Sequence, residues 1–222
     1  MARGLVLFDL DGTLIDTAPD LCAAANRLRQ EAGLKALPYE VLRPFAGTGA
    51  KGLLARALDV FPDDTRYPKL RARFLQDYSE HMRDKTALFV GMDAVLKTLV
   101  AEGRHWGIVT NKAARLAEPL VRELISPIAK PDVLIAGDTT PKMKPAPDPL
   151  WEAARRLSYP VSECLYIGDE KRDIAAAHAA GITSIAALWG YGTDARTWGA
   201  KALAQKIQDL PALIRLLLVN HS

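Results

Sequence analysis

The apolar run Leu5-Val6-Leu7-Phe8 stops abruptly at Asp9-Leu10-Asp11-Gly12-Thr13-Leu14. A short apolar run closed by a turn signal reads as a fully buried strand of a parallel sheet. Side chains alternate along a strand, so Asp9 and Asp11, two residues apart, project to the same side. Gly12 permits a sharp turn directly after them. Two carboxylates side by side at the carboxyl end of a buried strand call for a cation or a reaction.

Four later stretches repeat the pattern. Trp106-Gly107-Ile108-Val109 ends in Thr110-Asn111-Lys112, and Val133-Leu134-Ile135-Ala136 ends in Gly137-Asp138. Cys164-Leu165-Tyr166-Ile167 ends in Gly168-Asp169, and the run from Thr183 to Leu188 ends near Gly190. Helical patterns lie between them, over 112–124, 149–157 and 173–180, the last closed by Gly181 as a C-cap. Strands alternating with helices predict an α/β fold with a parallel sheet. Residues 17–85 break the rhythm, with helices expected over 18–32, 52–58 and 67–82 and no convincing strand. The expected layout is a core of residues 1–16 and 86–222 with a helical cap, 17–85, threaded into it. A last amphipathic helix is expected over 210–219.

Ligands in open α/β sheets bind beyond the carboxyl ends of the strands. Each strand end here carries chemistry. Thr110 offers a hydroxyl, beside backbone N–H groups suited to a phosphate oxygen. Lys144, at a proline-fixed helix entry, is a fixed positive charge, with Lys142 as its rival. Asp169 and Asp173 lie about one helical turn apart and can face one point. Magnesium favours one or two protein carboxylates, completed by phosphate and water. The string Gly47-Thr48-Gly49-Ala50-Lys51-Gly52 matches a dinucleotide-binding fingerprint, but no strand precedes it. It reads instead as a cap loop that meets substrate through Thr48 and Lys51.

Bulk properties exclude several classes. A formal charge of +3 with scattered basic residues does not point to nucleic acid. No segment of the sequence reaches the length of a membrane span. Two distant cysteines, Cys22 and Cys164, fit a reducing, cytoplasmic setting.

Together these motifs resemble the haloacid dehalogenase superfamily of phosphohydrolases over essentially the whole chain. Asp9 to Leu14 looks like its first motif, Thr110-Asn111 its second, Lys144-Pro145 its third, and Gly168-Asp169 with Asp173 its fourth. The resemblance implies a Rossmann-like core with a small helical cap, and Mg2+ as cofactor. It implies Asp9 as nucleophile, Asp11 as acid–base partner, and Thr110 and Lys144 as phosphate-holding groups. Asn111, Thr48 and Lys51 become substrate contacts, and Asp9, Asp11, Asp169 and Asp173 become the metal site, Asp11 through its backbone carbonyl. The substrate expected is a small phosphorylated metabolite, handled by a monomer or homodimer. Asp16 to Asp20, Val109 to Lys112 and Ala179 to Gly181 are similar to bacterial phosphoglycolate phosphatases. The stretches 106–112 and 115–119 are similar to N-acetylmuramic acid 6-phosphate phosphatases, and the motifs do not separate the two branches. A phosphomutase or a non-catalytic phosphate-binding module of the same fold stands as a further alternative. One departure stands out: Glu170 follows Asp169 where the family usually has Ser.

Overall fold

The computed structural model describes residues 4–219. The chain divides into two compact units, one running up to Ile15 and again from Leu88, the other Asp16–Ala87.

The first unit is built on six parallel strands: β1 (Leu5–Phe8), β4 (His105–Val109), β5 (Val133–Ile135), β6 (Cys164–Gly168), β7 (Thr183–Ala187) and β8 (Ala202–Ala204), in the order β5-β4-β1-β6-β7-β8. The missing numbers, β2 (Ile15–Asp16) and β3 (Ala87–Leu88), are the short segments where the chain passes between units. β1 sits in the middle of the sheet, with Leu5 opposite His105 on one side and Cys164 on the other. The chain therefore leaves β1 for β4 and β5, then crosses back to β6 on the opposite side. Such a reversal opens a crevice at the strand ends.

All four residues of β1 are fully buried, which explains its unbroken apolar run. Leu5 and Leu7 face a cluster with Val109, Ile135, Leu150 and Tyr166. On β1 and β4, Phe8 meets Trp106 edge to face, ring centroids 6.1 Å apart. Helices α5 (Met92–Ala101), α6 (Ala114–Leu120), α7 (Asp148–Arg156), α8 (Lys171–Ala180) and α9 (Leu210–Val219) complete this unit. Glu102, just past α5, accepts a hydrogen bond at 2.7 Å from Arg215 of α9 and one at 2.8 Å from Arg104.

Three elements of this unit depart from the sequence reading. The helix expected from Lys112 starts at Ala114, because Ala113 is extended and residues 110–112 form a loop. It runs past Pro119 and continues as a π-helical turn to Ile125. Helix α5 and strand β8 were not anticipated, although Met92, Val95, Leu96 and Leu99 carry the buried i, i+3, i+4, i+7 stripe of a helix.

The second unit is helical: α1 (Ala18–Glu31), α2 (Tyr39–Leu42), α3 (Gly49–Leu58) and α4 (Tyr67–His81). Its interior holds two buried carboxylates. Asp20 accepts hydrogen bonds from the Lys85 and Thr86 backbone and, at 2.8 Å, from the Thr86 hydroxyl. Asp77 of α4 pairs with Arg27 of α1 at 2.6 Å. A cavity of about 370 Å³ within this unit is lined by Pro19, Cys22, Ala23, Asn26, Tyr39 and Lys85. Among the described residues no helix is long and apolar enough to cross a membrane.

Candidate active site

Asp9 follows β1, and its backbone N–H extends the ladder to Ile167 O at 2.9 Å. Gly12, at φ 84°, then turns the chain, and Gly12 N bonds Ile15 O at 2.9 Å. Trp189 fixes this loop from outside, its indole N–H donating to Thr13 O at 3.1 Å. The acid pair is thus held by a closed turn rather than a flexible loop.

Asp9, Asp169 and Asp173 come together, all buried, with carboxylate oxygens within 4.8 Å of one another. Asp169 is locked on both oxygens: Thr13 Oγ1 donates to one at 2.7 Å and Tyr191 N to the other at 2.8 Å. Glycines make room for it. A Cβ on Gly12 or Gly190 would come within 2.2 Å of its side chain. Burial, then the negative charges of Asp173 and Asp9, hold the Asp169 carboxyl well above the usual carboxylate range.

Lys144 lies fully buried against this cluster. Its Nζ is 2.7 Å from Asp173 and 2.9 Å from Asp9. It also donates to Val109 O at 3.0 Å and to the Tyr166 hydroxyl at 2.6 Å. Burial alone would lower its pKa, but Asp173 and Asp9 outweigh burial and raise it. The ammonium is therefore held charged. Lys142, its rival in the sequence, is exposed. The Tyr166 phenol, on β6, donates in turn to Val109 O at 2.8 Å. Sequence reading placed Tyr166 only in an apolar strand. The available signal was a phenol inside a wholly buried strand, which must find a partner.

Three buried carboxylates with one buried lysine leave an excess of negative charge. Among the described residues, Asp9 Oδ1, although near Lys144, has no aligned hydrogen-bond donor. A buried carboxylate oxygen without a donor is costly. A hard divalent cation with oxygen ligands fits this set, and magnesium suits it.

Thr110 directly follows β4, its N–H bonded to Ile135 O at 2.9 Å, and its hydroxyl accepts from Lys112 N at 3.2 Å. Lys112 Nζ pairs with Asp11 Oδ1 at 3.0 Å. Asn111, expected as a substrate contact, is bonded to the Lys144 backbone. Its side-chain amide donates to Lys144 O at 2.9 Å and accepts from Lys144 N at 3.0 Å. Both ends of the amide clamp the lysine backbone, so Asn111 positions Lys144. Glu170 caps α8 in a reciprocal box with Asp173 and pairs with Arg172 at 2.6 Å. Burial pushes the Glu170 carboxyl up to about 6.

Thr48 and Lys51 lie in the helical unit. The Thr48 hydroxyl donates to Phe45 O at 2.8 Å and fills the space beside Gly52, while Lys51 is exposed. Neither lines the cavity of that unit. The glycine-rich string opens α3 after a 3-10 turn, with no strand before it.

Acids, a hydroxyl and a buried lysine gather beyond the carboxyl ends of parallel strands, where ligands bind in the doubly wound α/β class. The sequence profile of the haloacid dehalogenase-like hydrolases matches residues 6–187. The chain belongs to that family. It is 41% identical over 211 residues to the phosphoglycolate phosphatase of Xanthomonas campestris pv. campestris strain 8004, covering 92% of this chain and 93% of that one. It is 34% identical over 212 residues to the N-acetylmuramic acid 6-phosphate phosphatase of Pseudomonas putida, covering 94% and 95%. A haloacid dehalogenase-like hydrolase from Streptococcus pneumoniae shares the fold, with a TM-score of 0.81 at 22% identity over 96% of this chain and 98% of the other. The enzyme class is phosphoric monoester hydrolase, acting on a phosphorylated small molecule.

Proposed function

We propose that this chain hydrolyses phosphoglycolate through a phosphoryl intermediate on Asp9, with Mg2+ as cofactor. The observation that carries the reading is the buried Asp9 carboxylate, with Lys144 at 2.9 Å and one oxygen lacking an aligned donor. Asp9 attacks phosphorus, forming an acyl phosphate as the ester P–O bond breaks. Asp11 gives its proton to the leaving oxygen, then takes one from the water that attacks phosphorus and releases Asp9. The Thr110 hydroxyl, backbone N–H groups and Lys144 hold the transferring oxygens. Asp9, Asp169 and the Asp11 carbonyl, with Asp173 adjusting them, would hold Mg2+, which supplies positive charge against the phosphoryl group. Asp173, Tyr166 and Asn111 position Lys144.

The helical unit, expected as a cap over 17–85, is assigned the choice of substrate, with Lys51 as its exposed polar candidate. A cytoplasmic monomer or homodimer completes the reading, in keeping with two free, buried cysteines.

Higher identity to the phosphoglycolate phosphatase relative favours phosphoglycolate, and the relative at 34% identity keeps N-acetylmuramic acid 6-phosphate as the second reading. Steady-state hydrolysis of both compounds in Mg2+ tests it. The higher kcat/KM is expected for phosphoglycolate; a preference for the sugar phosphate replaces the first reading by the second.

A further inference from the structure

Lys112 has no part in the chemistry above, yet it touches the acid–base group directly. Its Nζ lies 3.0 Å from Asp11 Oδ1, with its side chain 7% exposed and that of Asp11 19% exposed. The root of this side chain is fixed. Lys112 O accepts from Gly137 N at 2.8 Å, and Lys112 N donates to the Thr110 hydroxyl. Gly137 packs so closely that a Cβ there would come within 2.2 Å of Asn111 O. The other cations of this region hold different places. Lys144 is enclosed by Asp9, Asp173 and Tyr166, and Arg172 pairs with Glu170.

We propose that Lys112 recognises a carboxylate on the substrate, placed one carbon from the ester oxygen. The inference rests on the reading of Asp11 as the group that meets the leaving oxygen. A cation bonded to Asp11 then sits no more than two hydrogen bonds from that oxygen. In phosphoglycolate a single methylene separates the ester oxygen from the carboxylate, so the carboxylate falls within this span. An ammonium carries three donors arranged tetrahedrally, a geometry that bridges two carboxylates. Lys112 thereby joins Asp11 and the substrate carboxylate and sets the leaving oxygen against Asp11. A carboxylate on the far side of a sugar ring from the phosphate lies beyond its reach. The class selected is the 2-phosphooxy carboxylate, not every anionic phosphoester.

The test pairs phosphoglycolate with ethyl phosphate, which replaces the carboxylate by a methyl group. kcat/KM is measured for both with the full chain in Mg2+, in the wild type, Lys112→Met and Lys112→Arg. The wild type should prefer phosphoglycolate. Lys112→Met should erode that preference by about tenfold or more, as expected for loss of a charge-assisted hydrogen bond. The erosion should fall mainly on KM, with Lys112→Arg restoring part of it. Equal losses on both substrates overturn the inference and leave Lys112 as a positioning residue for Asp11. A wild type that turns over both esters equally well also overturns it, without need of any variant. A wild type that hydrolyses neither overturns the phosphoglycolate reading, and this inference with it.

Discussion

The Lys144 ammonium lies 2.7 Å from the Asp173 carboxylate, and both side chains are wholly shielded from water. Breaking a buried ion pair by removing one partner is far more damaging than replacing both, because the other charge is left uncompensated. Lys144→Met would leave Asp173 and Asp9 facing each other without their cation. The metal-free variant is expected to lose about 3–5 kcal/mol, read by urea unfolding, together with phosphatase activity. A variant as stable as the wild type would contradict the pairing.

Tyr166 tests a finer point. Its hydroxyl accepts from Lys144 and donates to Val109 O, so it sets where the ammonium sits. Tyr166→Phe removes one oxygen and leaves the ring packed against its apolar neighbours. Stability should fall by about 1–2 kcal/mol, and kcat should fall while KM for an aryl phosphate changes little. Unchanged kcat would show that the phenol serves packing alone.

Proton and metal compete at this site. Burial and neighbouring carboxylates raise Asp169 well above its usual range, and burial raises Glu170 from 4.5 to about 6. A carboxyl raised on folding gives the metal-free protein stability that is complete below its unfolded value and is lost as pH rises through its folded value. For Glu170 that window runs from 4.5 to about 6. A bound cation needs these protons gone, so its stabilisation runs the other way. The rise in Tm on adding Mg2+ should therefore be larger at about pH 8 than at about pH 5. Equal rises at both would show that the carboxylates do not hold the metal.

The strand ends were legible because each apolar run stops at a polar residue, and the sheet brings those stops to one edge. Asp9 and Asp169 stand at such stops, Asp173 follows from helical spacing, and Lys144 is preferred to Lys142 only through the Lys-Pro pattern of the family it resembles. The partners that hold them were less legible. Tyr166 sits inside an apolar run, and nothing local says which way its hydroxyl points. The Asn111 amide clamps the Lys144 backbone, a contact across 33 residues of sequence that no local pattern shows. Strand β8 has three residues and lies at the sheet edge, too short for a two-residue period to register. Residue type and spacing thus locate groups, whereas long-range hydrogen bonds decide their roles.

In the proposed reaction Asp9 carries the phosphoryl group. Acid quenching during steady-state turnover of an aryl phosphate, followed by mass analysis of the Asp9 peptide, tests this most directly. The peptide should gain the mass of one phosphoryl group in the wild type and lack it in Asp9→Asn, which should also lose turnover. An Asp9→Asn variant that retains wild-type turnover, or a phosphoryl group found on another residue, would contradict it.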